Sequence, residues 1–361
     1  MINKKLIYAP FDDRLPAKRR TEIAVSMSDL VMQVVTYVIC RTMVDCQQLL
    51  QQNEQLRVAH AFLQRALTTH LSNHKLTTEG IVYSYQGQAF ELHEEYKTTI
   101  LTRSVYEHLV TFYFLFAHPK SAAERSIVWL YWQINSKKNL LSATATASVP
   151  VPTAEQQTID EIEQLRNQIK ETSIGQQCWA KLDKWTSPHT LASNGCIAFT
   201  QDDGRYDVKR VSYSQAWRYL FDNEQTALLY RQLSIHCHPI YDGLIQYQSQ
   251  AATDEGNDAI PLYFSSSFLA QLCLLFLGLL PDGNQMTAAQ FTGLDLGFHA
   301  EEKLSSSALL VVLKDGPVYE AAIDGSSADH TERYPGMLEI RIPADGNSHM
   351  LSIRAVGRAG A

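Results

Sequence analysis

Arg103 constrains the fold of this chain more than any other residue, because it places a permanent charge inside the most apolar helical segment of the sequence. That segment covers residues 101–116, and Glu107 and His108 follow the arginine at the next turn. A guanidinium stays charged in a protein, and burying it without a partner is costly. The sequence therefore predicts either a structural ion pair or a chemically active site around Arg103.

The composition is typical of a soluble globular protein. Of 361 residues, 45% are hydrophobic and 19% are charged, and the formal net charge is -7 at pH 7. The negative charge argues against DNA wrapping and against an anionic membrane surface. The N-terminus lacks a long apolar signal segment, and the apolar stretch 268–280 is shorter than the roughly 20 residues of a membrane span. We expect a cytoplasmic protein without membrane contact.

Helical periodicity dominates the first three quarters of the chain. It covers residues 21–71 and 91–117, resumes after a capping box formed by Ser121 and Glu124, and returns in the apolar segment 264–280. The predicted fold class is mainly α, with a large antiparallel helical bundle over residues 1–284.

The residue pattern changes after residue 284, from helical periodicity to short β-rich runs. Four short β-rich runs, separated by Asp-Gly and Pro-Gly turns, lie at residues 309–313, 318–323, 337–342 and 350–356. We predict a small β-rich C-terminal part over residues 285–361, either a module of its own or an appendage to the bundle.

The position of Arg103 on its helix follows from a rotation of 100° per residue. On this count Glu107 lies at about 40° from Arg103 and His108 at about 140°, so one helix cannot direct Arg103 and His108 at the same atom. Four apolar or aromatic side chains fall within about 20° of the arginine: Leu92, Tyr96, Val110 and Phe114. Arg103 is therefore predicted to lie at the centre of an apolar face.

The segment Arg103-Ser-Val-Tyr-Glu-His108 resembles the arginine-to-histidine spacing of the HEPN superfamily of helical bundles, many of which are metal-independent ribonucleases that act as dimers. The resemblance implies that Arg103 stabilises the charged phosphate and that His108 transfers the 2′-hydroxyl or leaving-group proton. It also implies RNA as substrate, a homodimer, and a role in phage defence or a toxin system. No Walker loop, GxGxxG, HExxH or CxxC motif occurs, so we expect neither a cofactor nor a metal.

A second pattern joins the helix of Arg103 and Glu107 to the downstream segment Tyr230-Arg-Gln-Leu-Ser234 and a histidine cluster. It resembles an uncharacterised bacterial family of helical proteins known only as a domain of unknown function, and the similarity covers about residues 21–247. The resemblance implies a helical fold without an established activity. It favours an ion pair between Arg103 and Glu107 that is shared with the later helix.

The histidine cluster contains His236 and His238, on a helix that is predicted to end before Pro239. Because a helix directs these two imidazoles to different sides, a structural role is favoured over metal binding. We expect His236 to pack against the Arg103–Glu107 pair, since a buried ion pair needs further partners. Three earlier histidines lie at a polar helical end and are expected to face solvent: His60, His70 and His74.

Two hypotheses therefore stay open. In the first, the chain is a helical bundle of unassigned activity with a binding or interaction role, and Arg103, Glu107 and His236 form a buried polar cluster. In the second, it is a HEPN-like ribonuclease with Arg103 and His108 in a cleft between two chains. The candidate catalytic residues are Arg103, Glu107, His108 and His236.

Overall fold

Long helices make up most of the described chain, which confirms the predicted mainly α fold. The computed structural model describes residues 17–79, 81–85, 88–92, 95–145, 152–193, 195–220, 233, 259–280, 286–288, 307–312, 318–323, 325–327, 330–334, 337–342 and 351–356. The chain divides into two compact units, one formed by Met1–Leu109 with Leu229–Ala361 and the other by Val110–Leu228.

The helices are, in chain order, α1 (Ala17–Asp45), α2 (Gln47–Gln52), α3 (Glu54–Glu79), α4 (Glu95–Phe112), α5 (Ala122–Ala145), α6 (Pro152–Glu171), α7 (Ser173–Thr186), α8 (Tyr213–Leu220) and α9 (Ala259–Leu277). The strands are β1 (Ile81–Tyr85), β2 (Gln88–Leu92), β3 (Gly195–Asp202), β4 (Arg205–Ser212), β5 (Met286–Ala288), β6 (Ser307–Val312), β7 (Val318–Ile323), β8 (Ser326–Ser327), β9 (His330–Tyr334), β10 (Met337–Ile342) and β11 (Leu351–Val356).

The first unit is built around α1, α3 and α9, which pack against one another. Helix α9 has almost no polar face, and most of its apolar side chains are buried; Leu269, Leu272 and Phe276 are fully buried. This burial matches the central helix expected from the apolar segment 264–280, although the helix itself begins earlier. A helix that is apolar on nearly all sides needs such neighbours to cover it.

Helix α4 begins at Glu95 and widens at its end into a π-helical turn, Tyr113–Ala117. The His118 N–H donates to the Tyr113 carbonyl at 2.8 Å, a bond that spans five residues instead of four. The periodicity placed the start of this helix at about residue 91, but residues 88–92 instead form β2, paired antiparallel with β1. The helix is thus shorter than predicted at its start, and its rotation per residue changes at Tyr113.

The second unit contains α5, α6, α7, α8 and the hairpin of β3 and β4. One half of the predicted capping box at the start of α5 is present, because the Glu124 N–H donates to Ser121 Oγ at 3.1 Å. The Glu124 carboxylate accepts from the Lys120 N–H, at 2.8 Å, and not from that of Ser121. The hairpin turns at Asp203 and Gly204, with φ values of 44° and 76°. Asp-Gly is a typical pair for such a turn, since both positions need positive φ.

The β-rich C-terminal runs form strands at or near the predicted positions. The sheet order is β5-β6-β10-β9 in one sheet and β11-β7-β8 in another, and β5 with β6 is the one parallel pair among the described strands. In the second sheet Val318 lies opposite Val356 and Ile323 opposite Leu351. The predicted domain boundary at residue 284 stays a prediction.

Two helical segments have the length and composition to cross a membrane, Met27–Val44 in α1 and Ile260–Leu277 in α9. The second is longer than the apolar stretch counted in the sequence, because the helix begins at Ala259. The central helix of a soluble protein has the same properties, and 72% of the α9 segment is buried inside the protein. The expectation of no membrane contact is therefore still a prediction.

We expect Gly175→Ala to destabilise the second unit, because α6 and α7 meet without space for a side chain. An added Cβ would lie 1.9 Å from the Ile169 carbonyl oxygen, a backbone atom. Overpacking of this kind costs about 1–3 kcal/mol. The measurement is urea unfolding, with Gly278→Ala as control, since a Cβ added there would lie 3.4 Å from its nearest neighbour, the Leu275 carbonyl oxygen. Equal loss of stability in the two variants would contradict this account of the junction.

Candidate functional site

Arg103 and Glu107 form the ion pair that the sequence predicted. Arg103 Nε donates to Glu107 Oε1 at 2.8 Å, across one turn of α4. The arginine side chain is 23% exposed and the glutamate side chain 32% exposed. The pair is therefore half-buried, which corrects the expectation that Arg103 lies at the centre of an apolar face.

The reason for this difference lies in the boundaries of α4. The buried face of the helix is centred about 90° away from Arg103, and it carries Thr98, Thr99, Thr102, Tyr106 and Leu109. Leu92, which was used to locate the face, lies in β2, and Phe114 lies in the π-helical turn. Because Leu92 and Phe114 lie outside α4, they do not define its buried face, and Arg103 lies at the border of that face.

His108 lies on a different side of α4 and contacts α3. Its Nδ1 is 2.6 Å from the Ser104 carbonyl oxygen. A carbonyl can only accept, so Nδ1 carries the proton and Nε2 of the neutral ring is an acceptor. Burial lowers the pKa of His108, the Ser104 carbonyl and Glu107 oppose this, and Arg65 adds to the lowering. The ring is thus predominantly neutral at pH 7.

His236 lies outside the described residues, as do His238 and the segment 230–234 except for Leu233. The contact of His236 with Arg103 and Glu107 therefore stays a prediction. Among the described residues, no group of three or more histidine, cysteine, aspartate or glutamate side chains could hold a metal ion.

The structure contains a second polar site, which the sequence did not reveal. Five side chains from α1, α3 and α9 form a continuous chain, here called the histidine relay: Asp29, His74, Ser28, His70 and Ser265. Ser28 Oγ lies 2.8 Å from His70 Nε2 and 2.9 Å from His74 Nδ1. His70 Nδ1 lies 2.8 Å from Ser265 Oγ, and His74 Nε2 lies 3.5 Å from Asp29 Oδ1.

The relay passes from the interior of the first unit towards its surface. Ser28, His70 and Ser265 are fully buried, whereas the His74 side chain is 18% exposed and that of Asp29 is 42% exposed. Burial lowers the pKa of His70 to about 3, with a smaller contribution from His74. His70 is therefore neutral at physiological pH, and both its ring nitrogens are bonded.

The burial of these histidines corrects the expectation that His60, His70 and His74 face solvent. His60 and His70 are 6% and 0% exposed. A signal was present in the sequence, since both lie on the same helical stripe as Leu63 and Leu67 of α3, at intervals of three or four residues. Their partners on α1 and α9 were not readable from that spacing.

A further buried contact joins α3, α4 and α9 beside the relay. Asn73 Nδ2 donates to Thr102 Oγ1 at 2.9 Å, and the Thr102 hydroxyl donates to the Pro261 carbonyl at 2.8 Å. Asn73 Oδ1 is buried and has no hydrogen-bond partner among the residues described here. The first unit thus contains an unusually polar interior for a helical core.

The fold and these sites define a mainly α protein with a buried histidine relay and a half-buried Arg-Glu pair. Its chain belongs to a family of unknown function (DUF5677), whose model matches residues 57–257. This match confirms the resemblance to a domain of unknown function and covers Arg103, Glu107, His108 and His236, whereas helices α1 and α9 lie outside it. No curated protein and no solved structure gives a significant match.

We expect the free energy of unfolding to fall as the pH drops below about 6.5, in part because of His70. Its pKa is about 3 in the folded protein, against 6.5 for an unperturbed histidine. Between these values the unfolded chain binds a proton that the folded chain does not, which costs about 1.4 kcal/mol per pH unit.

The measurement is urea unfolding at several pH values between 7 and 4. His70→Gln removes this titration, so its stability should depend less steeply on pH. The exposed His189 provides the control, since His189→Gln should keep the slope of the unaltered protein. An unchanged slope in His70→Gln would show that His70 is not the titrating group.

We expect Glu107→Ala to cost about 0.5–1 kcal/mol, because a half-buried pair within one helix is worth little more than an exposed one. The control is Glu79→Ala, which removes an exposed pair of the same spacing with Lys75 and should have no measurable effect. Both are compared by thermal or urea unfolding. A loss of several kcal/mol in Glu107→Ala would argue instead for a sealed cluster shared with His236.

Proposed function

We propose that this protein binds a phosphate-bearing ligand, RNA in the first instance, at the side of α4 that carries His108. The observation that supports the proposal is the arrangement of His108 beside Arg65 of α3. The imidazole holds its proton on Nδ1 through the Ser104 carbonyl, so Nε2 is an acceptor. The guanidinium of Arg65 is near enough to lower the pKa of His108.

The surroundings of this pair suit an anion. The side chain of Arg65 is exposed and has no carboxylate partner in the part of the chain that the structure describes. A guanidinium binds phosphate oxygens through two parallel hydrogen bonds. The rings of Phe62 and His108 pack edge to face, with their centroids 6.0 Å apart. The proposed interaction is local, since the chain as a whole has a net charge of -7.

Metal-independent cleavage of RNA is the second candidate function, and the tautomer of His108 favours it. A neutral imidazole with a free acceptor nitrogen is the form needed to take a proton from a 2′-hydroxyl. In the HEPN-like hypothesis the cation is Arg103, about 140° away around α4, which requires a second chain. Arg65 provides a cation beside His108 within one chain, so this form of the hypothesis does not require a homodimer.

The test measures binding and cleavage of single-stranded RNA by the purified chain, with EDTA present. We expect Arg65→Ala to weaken binding several-fold at low salt, because one phosphate contact is lost. Arg57→Ala is the matched control, since Arg57 is also exposed on α3. If binding is unchanged in both Arg65→Ala and His108→Gln, the proposed binding site is wrong.

Cleavage gives a separate result. If the second candidate is correct, His108→Gln should lower the rate at least about 100-fold, the usual contribution of a general base. Arg103→Ala distinguishes the two arrangements, because only the two-chain form requires that guanidinium. RNA that binds but stays intact under all conditions would exclude the nuclease and leave the binding role.

A further inference from the structure

We propose that the histidine relay is a hydrogen-bond switch, in which protonation of His74 reverses the direction of the three hydrogen bonds that link His74, Ser28, His70 and Ser265. The inference is independent of the proposed RNA site. It rests on a geometric property of the relay: each member between the two ends has one partner on either side, so the proton positions along it are coupled.

The direction in the neutral state follows from the Asp29 end. The Asp29 carboxylate lies 3.5 Å from His74 Nε2 and only accepts, so in the proposed neutral state His74 keeps its proton on Nε2 and its Nδ1 is an acceptor. The Ser28 hydroxyl therefore donates to His74, at 2.9 Å. With its one hydrogen used, Ser28 must accept from His70 Nε2–H, at 2.8 Å. His70 Nδ1 then accepts from the Ser265 hydroxyl.

The α9 end gives the same direction independently. Serines inside helices commonly donate to the carbonyl four residues earlier. Ser266 donates in this way to Leu262, and Ser267 donates to Tyr263. Ser265 makes no such bond in the structure described, and its hydroxyl instead lies 2.8 Å from His70 Nδ1. The Ser265 hydrogen is therefore available to the imidazole, in agreement with the direction proposed from the Asp29 end.

Protonation of His74 inverts this order. Both ring nitrogens of an imidazolium are donors, so His74 Nδ1–H would donate to Ser28, and Ser28 would donate to His70 Nε2. His70 is neutral, since burial lowers its pKa to about 3, and it must then carry its proton on Nδ1 and donate to Ser265. The Ser265 hydroxyl would turn to the Pro261 carbonyl, the group that already accepts the Thr102 hydroxyl of α4.

Asp29 is the charged side chain that faces His74, at 3.5 Å from Nε2. On α1 the next described acidic residue is Glu22, which lies two turns earlier and is exposed. Helices α2 and α9 contain no acidic, basic or histidine side chain. On α3, Lys75 pairs with Glu79 on the exposed side, and His70 is neutral. Helix α4 reaches this region through the uncharged Thr102.

The test is nuclear magnetic resonance of the full chain with ¹⁵N-labelled histidine rings, in which the two neutral tautomers have distinct nitrogen shifts. The ring signals are assigned with single His→Gln variants. We expect His70 to carry its proton on Nε2 at pH 8 and on Nδ1 once His74 is protonated, with one shared midpoint. The proposal is overturned if His70 keeps one tautomer while His74 titrates, or if His74 does not titrate above pH 4.

Two variants separate the switch from a merely structural network. In Ser28→Ala, His74 should still titrate and His70 should no longer follow it. In Asp29→Asn, at a half-exposed position that carries little folding risk, the two rings should still change at one shared midpoint, because the relay couples their proton positions. A shift of His74 alone in Asp29→Asn would overturn the proposal. His189→Gln is the control and should leave both rings unchanged.

Discussion

The helix packing of the first unit depends on the hydrogen bonds that a fully buried imidazole, that of His70, must make. Burial lowers the pKa of His70 to about 3, so its ring is neutral at physiological pH. A neutral ring without partners would leave both a donor and an acceptor unpaired inside an apolar core. Ser28 of α1 and Ser265 of α9 supply those partners at 2.8 Å each. The same histidine thus fixes how α1 and α9 are placed against α3. Apolar burial alone would tolerate several rotations of these helices, because α9 is apolar on almost every side.

The hydrogen-bond partners of His70 lie outside the residues that match the family. The matched residues 57–257 begin within α3 and end before α9. The serines that satisfy His70 therefore come from helices that flank the family domain. A second set of buried hydrogen bonds also crosses the boundary of the family match. It joins Asn73 and Thr102, which lie inside the match, to the Pro261 carbonyl, which lies outside it. We infer that α1 and α9 complete the core of the domain in this chain, since without them its buried polar groups would lack partners.

The sequence predicted those features that depend on local chemistry. The mainly α fold, the Ser121 cap of α5, and the strands at residues 318–323 and 337–342 follow from neighbouring residues alone. The Arg103–Glu107 pair follows from helical spacing in the same way. The position of Arg103 on α4 was wrong, because β2 and the π-helical turn interrupt the periodicity at either end. The relay joins residues 42 and 195 positions apart, and no local pattern encodes such pairings.

The two classes of histidine differ in what chemistry they permit. His70 has both ring nitrogens occupied and is fully buried, so it can transmit a change of proton position but cannot touch a ligand. His108 has Nδ1 fixed by a carbonyl of its own helix, and its second nitrogen is an acceptor beside the exposed Arg65. A general base needs this combination of a defined tautomer and an available lone pair. The proposed ligand chemistry therefore belongs to the side of α4 that carries His108, and the proposed control of helix packing belongs to the interior.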